Sequence, residues 1–186
     1  MSHRAGLIHG RFQVLHNDHL VYLLAGKERC DHLIIGVTNP SMELTETEES
    51  NPERSDPSNN PLTYEERKIM IRKALKEAGI SAETFSIIPF PICKPEILKE
   101  MAPKEAVYFL TIYDEWGHEK LKRFGALGLQ TEIMWEKPES EKGISGKDVR
   151  HAIRDNNGWQ SMVPPAVAEL VESWNLQERL SGSSKS

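Results

Sequence analysis

The chain has almost no cysteine. Cys30 and Cys93 are its two thiols, far apart and with no second thiol near either. That excludes a disulfide framework and a zinc knuckle, and leaves both as small core or surface residues of a protein kept in a reducing compartment. Long apolar runs are missing as well. No stretch of about 18 consecutive apolar residues occurs, so no membrane span is expected, and Met1 to Gly6 lacks the apolar core of a secretion signal. A cytoplasmic location is the resulting expectation. Nor is there an excess of positive charge: 28 acidic against 23 basic residues give a net charge of −5. Such a balance provides no global field for gripping a nucleic-acid backbone, although a local basic cluster can still hold a small anion. No internal repeat and no domain boundary are visible. What remains is a chain of 186 residues, 38% hydrophobic, able to close one core without staples.

Short apolar runs alternate with helical stretches along this chain. Leu7-Ile8, Leu33 to Val37, Phe85 to Ile88, Val107 to Leu110 and Thr131 to Trp135 have strand length and character. Leu20 to Lys27 reads as a helix. Thr63 with Glu66 makes a capping box for a second, which carries Ile69, Met70, Leu75 and Ala78 and stops at Gly79. Pro95 to Met101 is a short helical turn, Glu115 to Phe124 a helix, and Ser145 with Asp148 a further capped start. Pro164-Pro165 opens a last helix through Trp174. Alternation at these spacings predicts an α/β fold, a Rossmann-like doubly wound parallel sheet of about five strands flanked by helices. The expected domain spans residues 1–180, with an acidic, proline-rich loop at 41–61 that is either a solvated insertion or a lid. Arg54 is the only basic residue of that loop. The serine-rich end, 181–186 and its neighbour Leu180, is expected to be disordered.

The segment Gly10-Arg11-Phe12-Gln13-Val14-Leu15-His16-Asn17-Asp18-His19 joins the first strand to the first helix. In an open α/β sheet that junction is where anions bind, because free backbone N–H groups and the positive end of a helix meet there. Gly10 permits close approach of a ligand to the backbone, and Arg11 offers a planar fork of donors for phosphate oxygens. His16 and His19, three apart, would project from one face of the first helical turn and stabilise negative charge without a metal. Taken alone, such a pair more often reflects chance spacing, capping or metal ligation.

Three segments together narrow the alternatives. Gly10 to His19 closely resembles the GRFQPxHxGH signature of the HxGH nucleotidylyltransferase superfamily, and Ile144-Ser145-Gly146-Lys147-Asp148-Val149-Arg150 resembles its ISSTxxR signature. Asn60 to Arg67 with Ile69-Met70-Ile71 looks like the NPxTxxERxxMI segment of archaeal-type nicotinamide-nucleotide adenylyltransferases. The resemblance covers almost the whole chain. It implies transfer of a nucleotidyl group from a nucleoside triphosphate to a phosphate or phosphate ester, releasing pyrophosphate. On it, His16, His19 and Arg11 become catalytic candidates, while Gly10, Phe12, Gln13, Ser145, Gly146, Lys147 and Arg150 become phosphate or nucleotide contacts. Mg²⁺ would arrive with the triphosphate.

This chain departs from the pattern at Asp18, where the motif has glycine, at Val14 for proline and at Lys147 for threonine. Asp18 is expected to cap its helix or to help hold Mg²⁺, the cap being favoured, with Lys147 offsetting its charge at the same phosphates. For the acceptor, candidate contacts are Asn39 at the polar end of the second strand, Arg67, and Tyr113, Asp114 and Trp116 after the fourth. Trp116 or Tyr113 would stack on a flat ring, or the aromatics would sit in the core with Asp114 as a cap. The expected reaction moves AMP from ATP to nicotinamide or nicotinate mononucleotide. Alternatives are a cytidylyltransferase acting on a phosphorylated small molecule and a catalytically weak nucleotide-binding regulator. Expected partners are ATP or another nucleoside triphosphate and a mononucleotide acceptor, without nucleic acid or membrane; a homo-oligomer is left open.

Overall fold

The computed structural model describes residues 2–41, 43–44 and 56–182. Most of the expected 41–61 loop, Arg54 included, and the last four residues lie outside them. Five strands, β1 (His3–Gly10), β2 (Cys30–Val37), β3 (Phe85–Pro89), β4 (Val107–Ile112) and β5 (Thr131–Glu136), form one parallel sheet in the order β3-β2-β1-β4-β5. Winding therefore reverses between β1 and β4. At such a switch point the loops leaving the two strands part, and a crevice opens beyond their carboxyl ends.

Helices cover both faces, which is why the strands read as nearly continuous apolar runs. On one face Ile8, Leu33, Ile35 and Phe109 pack against Leu23 of α1 (Asn17–Lys27) and Met70 and Ala74 of α2 (Tyr64–Glu77). On the other, Leu7, Tyr108 and Leu110 meet Leu98 of α3 (Pro95–Met101) and Trp116 and Phe124 of α4 (Glu115–Ala126). Complete burial of one such side chain, as at Leu23, stabilises the fold by about 1.5–3 kcal/mol. The Thr63–Glu66 capping box starts α2, with Glu66 N–H donating to Thr63 Oγ1 at 3.2 Å and Thr63 N–H to Glu66 at 2.8 Å. Gly79 follows α2 with φ +79°, a left-handed conformation that favours glycine.

Three further helices, α5 (Gly146–Arg154), α6 (Pro165–Ser173) and α7 (Leu176–Gly182), complete the first face. The last places Leu180 to Gly182, the first residues of the end expected to be disordered, in a helix, while 183–186 lie outside the described residues. Leu176 and Leu180 lie one turn apart and are both buried where α7 packs on α5 and α6. Arg179 between them pairs with Glu66 at 2.7 Å, fastening α7 to the first turn of α2.

Candidate active site

The crevice beyond β1 and β4 is a cavity of about 420 Å³. Its floor is the turn after β1. Phe12 takes φ +53° and packs, fully buried, under Gly10. Gln13, also buried, exchanges two hydrogen bonds with the backbone of Leu62, donating to its carbonyl at 2.8 Å and accepting its N–H at 2.9 Å. Both side chains thus shape the turn that presents its backbone to the cavity.

The first turn of α1 is capped by histidines. His19 N–H donates to His16 Nδ1 at 3.3 Å and His16 N–H donates to His19 Nδ1 at 3.4 Å, a reciprocal box with imidazoles in the roles usually taken by serine and glutamate. The rings stack at 3.7 Å. Because each Nδ1 accepts, the proton of each neutral ring belongs on Nε2, where it is a donor for an anion. Burial lowers the His16 pKa to about 4, while Asp18 and Asp148 pull it back upward. At neutral pH His16 is therefore a neutral donor.

Opposite stands the N-terminus of α5. Asp148 N–H donates to Ser145 Oγ at 3.2 Å, and the Ser145 hydroxyl and N–H donate to Asp148 at 2.5 and 3.1 Å, which holds that carboxyl below its ordinary range. Arg150, one turn into the helix and 5% exposed, donates to Gln13 O and, at 2.7 Å, to Asn59 Oδ1. Ser145, Gly146, Lys147 and Arg150 all line the cavity with His16, His19, Gly10 and Arg11. Two helix N-termini, with their partial positive charge, converge on one space.

Asp18 is placed otherwise than expected. His16, not Asp18, caps α1, and the Asp18 carboxylate accepts Ile144 N–H from across the cavity mouth at 2.7 Å. Arg67 and Asn39 do not line the cavity at all. The Arg67 guanidinium, 1% exposed, donates to the carbonyls of Thr63, Arg11, Thr38 and Asn39 at 3.2, 3.0, 2.7 and 2.7 Å. Asn39 serves through its backbone, in a left-handed turn at φ +49°. Arg67 thus ties the loops after β1 and β2 to α2; burial lowers its pKa to about 10, which leaves it charged.

At the other end of the cavity stand Tyr113, Asp114 and Trp116. Asp114 caps α4, accepting Gly117 N–H at 3.0 Å, and pairs with Lys142 at 2.8 Å. Its carboxyl lies below the usual range although burial opposes this, because Lys142 hydrogen-bonds it and Lys120 lies near. Trp116 is 7% exposed in the second core, with the Arg123 guanidinium 5.2 Å from its ring. Tyr113 accepts Trp135 Nε1–H at 2.7 Å. His9, Lys120 and Lys142 also line this end. None belongs to a sequence signature, although a histidine closing the apolar run before Gly10 was visible.

Among the described residues no group of three or more His, Cys, Asp or Glu is arranged to hold a metal ion. Both imidazole Nδ1 atoms are engaged in capping, and the cations around the cavity suit polyphosphate oxygens. No helix among the described residues is long and apolar enough to cross a membrane.

A switch-point crevice flanked by two helix N-termini, imidazoles and guanidinium groups defines an α/β protein built to hold a phosphate-bearing ligand. The chain belongs to the Cytidylyltransferase-like family, whose profile matches residues 7–152. It is 50% identical over 175 residues to the phosphonoformate cytidylyltransferase of Streptomyces viridochromogenes, covering 94% of each chain. It is 29% identical over 196 residues to the nicotinamide-nucleotide adenylyltransferase of Ignicoccus hospitalis, covering 96% of this chain and 97% of that one. A bifunctional NMN adenylyltransferase/ADP ribose pyrophosphatase from Francisella tularensis, crystallised with AMP and a manganese ion, shares the fold with a TM-score of 0.66 at 15% identity. This chain spans 53% of that structure.

Proposed function

We propose that the protein transfers CMP from CTP to a small phosphonate or phosphate acceptor, releasing pyrophosphate. The observation that carries this reading is the 50% identity, over 94% of both chains, to a phosphonoformate cytidylyltransferase. The acceptor end of the cavity agrees with it. Trp116 is nearly buried beside Arg123 rather than laid open for a flat ring, and His9, Lys120 and the Lys142–Asp114 pair line the cavity with it, which leaves nitrogen donors for a compact anion. The nicotinamide-nucleotide reading has the support of relatives at 25–29% identity and is the second hypothesis.

In the proposed reaction an anionic acceptor oxygen attacks the α-phosphorus of CTP. A phosphorus–oxygen bond forms there, the bond to the bridging oxygen of the departing group breaks, and pyrophosphate leaves. The attacking oxygen is already ionised, so the protein contributes alignment and charge neutralisation. Nε2–H of His16 and His19, the first-turn N–H groups of α5 and the cations Arg11, Lys147 and Arg150 surround the triphosphate. Removing one such donor costs about 10²–10³ in rate.

The test is purified protein with Mg²⁺, CTP or ATP, and either phosphonoformate or nicotinamide mononucleotide, followed by pyrophosphate release and phosphorus NMR of the product. Cytidylyl transfer to phosphonoformate is expected, lowered about 10²–10³-fold in His19→Ala. Dinucleotide formation from ATP and the mononucleotide alone would transfer the assignment to the second hypothesis. Nucleotide binding without any turnover would make the protein a regulator.

A further inference from the structure

We propose that Asp18 is a positioning residue of the nucleotide site, docking the segment from Lys142 to Ser145 onto the first turn of α1 and thereby fixing the N-terminus of α5 opposite His16 and His19. The proposal rests on the nucleotidyl-transfer reading for the identity of the ligand, and on geometry for the rest. Ile144 N–H donates to Asp18 Oδ2 at 2.7 Å across 126 positions of sequence. The neighbouring residue is fitted to that carboxylate: a Cβ on Gly143 would overlap Asp18 Oδ2. One residue before, Lys142 is tied to Asp114 at the N-terminus of α4. One residue after Ser145, a Cβ on Gly146 would stand 2.9 Å from Gln13 O, the carbonyl that Arg150 also contacts. The segment is therefore seated at each side of the cavity mouth, on α4 through Lys142 and on α1 through Ile144.

The consequence is chemical because of what the segment leads into. Helix geometry gives the first-turn N–H groups of α5 no backbone acceptor within the helix; the Ser145 hydroxyl takes that of Asp148, and the groups before it bind an anion only if they arrive at the right distance from the imidazoles. A glycine at 18 would supply no side-chain acceptor for Ile144 N–H. The aspartate does, and it keeps an anionic group near the phosphates with one oxygen engaged by a donor. The carboxylate also faces His16 and opposes the effect of burial on that ring, so it bears on both halves of the site.

The experiment measures tripolyphosphate binding by calorimetry, together with KM for CTP and kcat, in the wild type and four variants. Asp18→Ala removes the acceptor and is expected to weaken tripolyphosphate binding and raise KM about tenfold, the usual scale of a charged hydrogen bond, with kcat at saturation within about threefold. Asp18→Asn retains an oxygen for Ile144 N–H and stays within about threefold of wild type in all three quantities. Gly143→Ala weakens binding at least as much as Asp18→Ala. Asp18→Gly combined with Gly143→Ala binds better than Gly143→Ala alone, because the methyl group enters the space the carboxylate has left. Circular dichroism and urea midpoints verify that each variant is folded; should Gly143→Ala fail to fold, recovery of folding in the double variant reads the same fit. Unchanged binding in Asp18→Ala, a fall of Asp18→Asn to the level of Asp18→Ala, or no recovery in the double variant overturns the proposal while leaving nucleotidyl transfer standing. A wild-type protein that binds neither tripolyphosphate nor CTP overturns both.

Discussion

The lowered pKa of His16 ties the stability of the fold to pH. In an unfolded chain the ring titrates near 6.5, and in the native protein near 4, because it is 4% exposed and its Nδ1 accepts a backbone N–H. Between those values the unfolded chain binds a proton that the native chain refuses, so stability is full above about pH 6.5 and falls as the pH drops toward 4. At about 1.4 kcal/mol per unit, the difference amounts to about 3 kcal/mol. Below pH 4 the native ring protonates too and this contribution stops changing. His16→Asn isolates the effect, since asparagine caps a helix about as well as any residue but does not titrate. Urea denaturation from pH 7 to pH 4 should show the wild type losing about 3 kcal/mol more than His16→Asn, with the curves separating between pH 6.5 and 4. Parallel curves would refute a buried, neutral His16. A bound triphosphate favours the charged ring, so tripolyphosphate binding near pH 5 should take up protons, seen as a dependence of the calorimetric heat on the ionisation enthalpy of the buffer.

Two buried guanidinium groups give further tests. Arg67→Met leaves the carbonyls of Arg11, Thr38 and Asn39 without their donor, at a cost in urea denaturation of about 3 kcal/mol or more, on a scale of about 1–3 kcal/mol for each buried acceptor left unsatisfied. Arg67→Lys keeps the charge but not the fork and should recover less than half of that; a lysine variant as stable as wild type would mean the carbonyl contacts carry little. Arg150→Gln breaks the link from α5 to Gln13 O and Asn59 and removes a cation from the cavity. Tripolyphosphate binding should weaken about tenfold or more, and an unchanged affinity would take Arg150 out of the phosphate site.

The fold was legible wherever local signals and burial agree. Strand runs such as Leu33 to Val37 are buried on both sides, and the Thr63–Glu66 and Ser145–Asp148 boxes and Gly79 mark helix ends through contacts within a few residues. The N-terminal half of β1 was hidden because His3 and Arg4 are polar; His3 hydrogen-bonds Glu132 of β5 at 2.8 Å. The C-terminal helix was hidden because its end runs into a serine-rich stretch, while the pair Leu176 and Leu180, which decides its fate, is only two residues. The cap on α1 broke the usual code, since histidine is not among the residues that announce a helix start. Arg67, expected as an acceptor contact, gives no local sign of its place in the core. Its carbonyl partners beyond its own helix lie 56, 29 and 28 positions away, and no spacing rule reaches them.

The same division explains why the motifs reveal the chemistry more readily than the acceptor. Triphosphate binding requires helix N-termini, donors and cations within one turn of a strand end, so its residues are adjacent in sequence, as Gly10 to His19 and Ile144 to Arg150 are. The end proposed to take the acceptor is assembled from single residues on separate elements: His9 at the end of β1, Lys120 on α4, Lys142 after β5, and Trp116 placed by its packing beside Arg123. Each is unremarkable alone. Their common property, positive or proton-bearing nitrogen around a nearly buried ring, appears only when the sheet brings β1 and β4 side by side. Stacking a nicotinamide ring on Trp116 would require an open face; a small anion requires only the nitrogens. On the proposed reading, acceptor choice depends on how α4 packs against the sheet, and the signatures that announce nucleotidyl transfer carry no record of it.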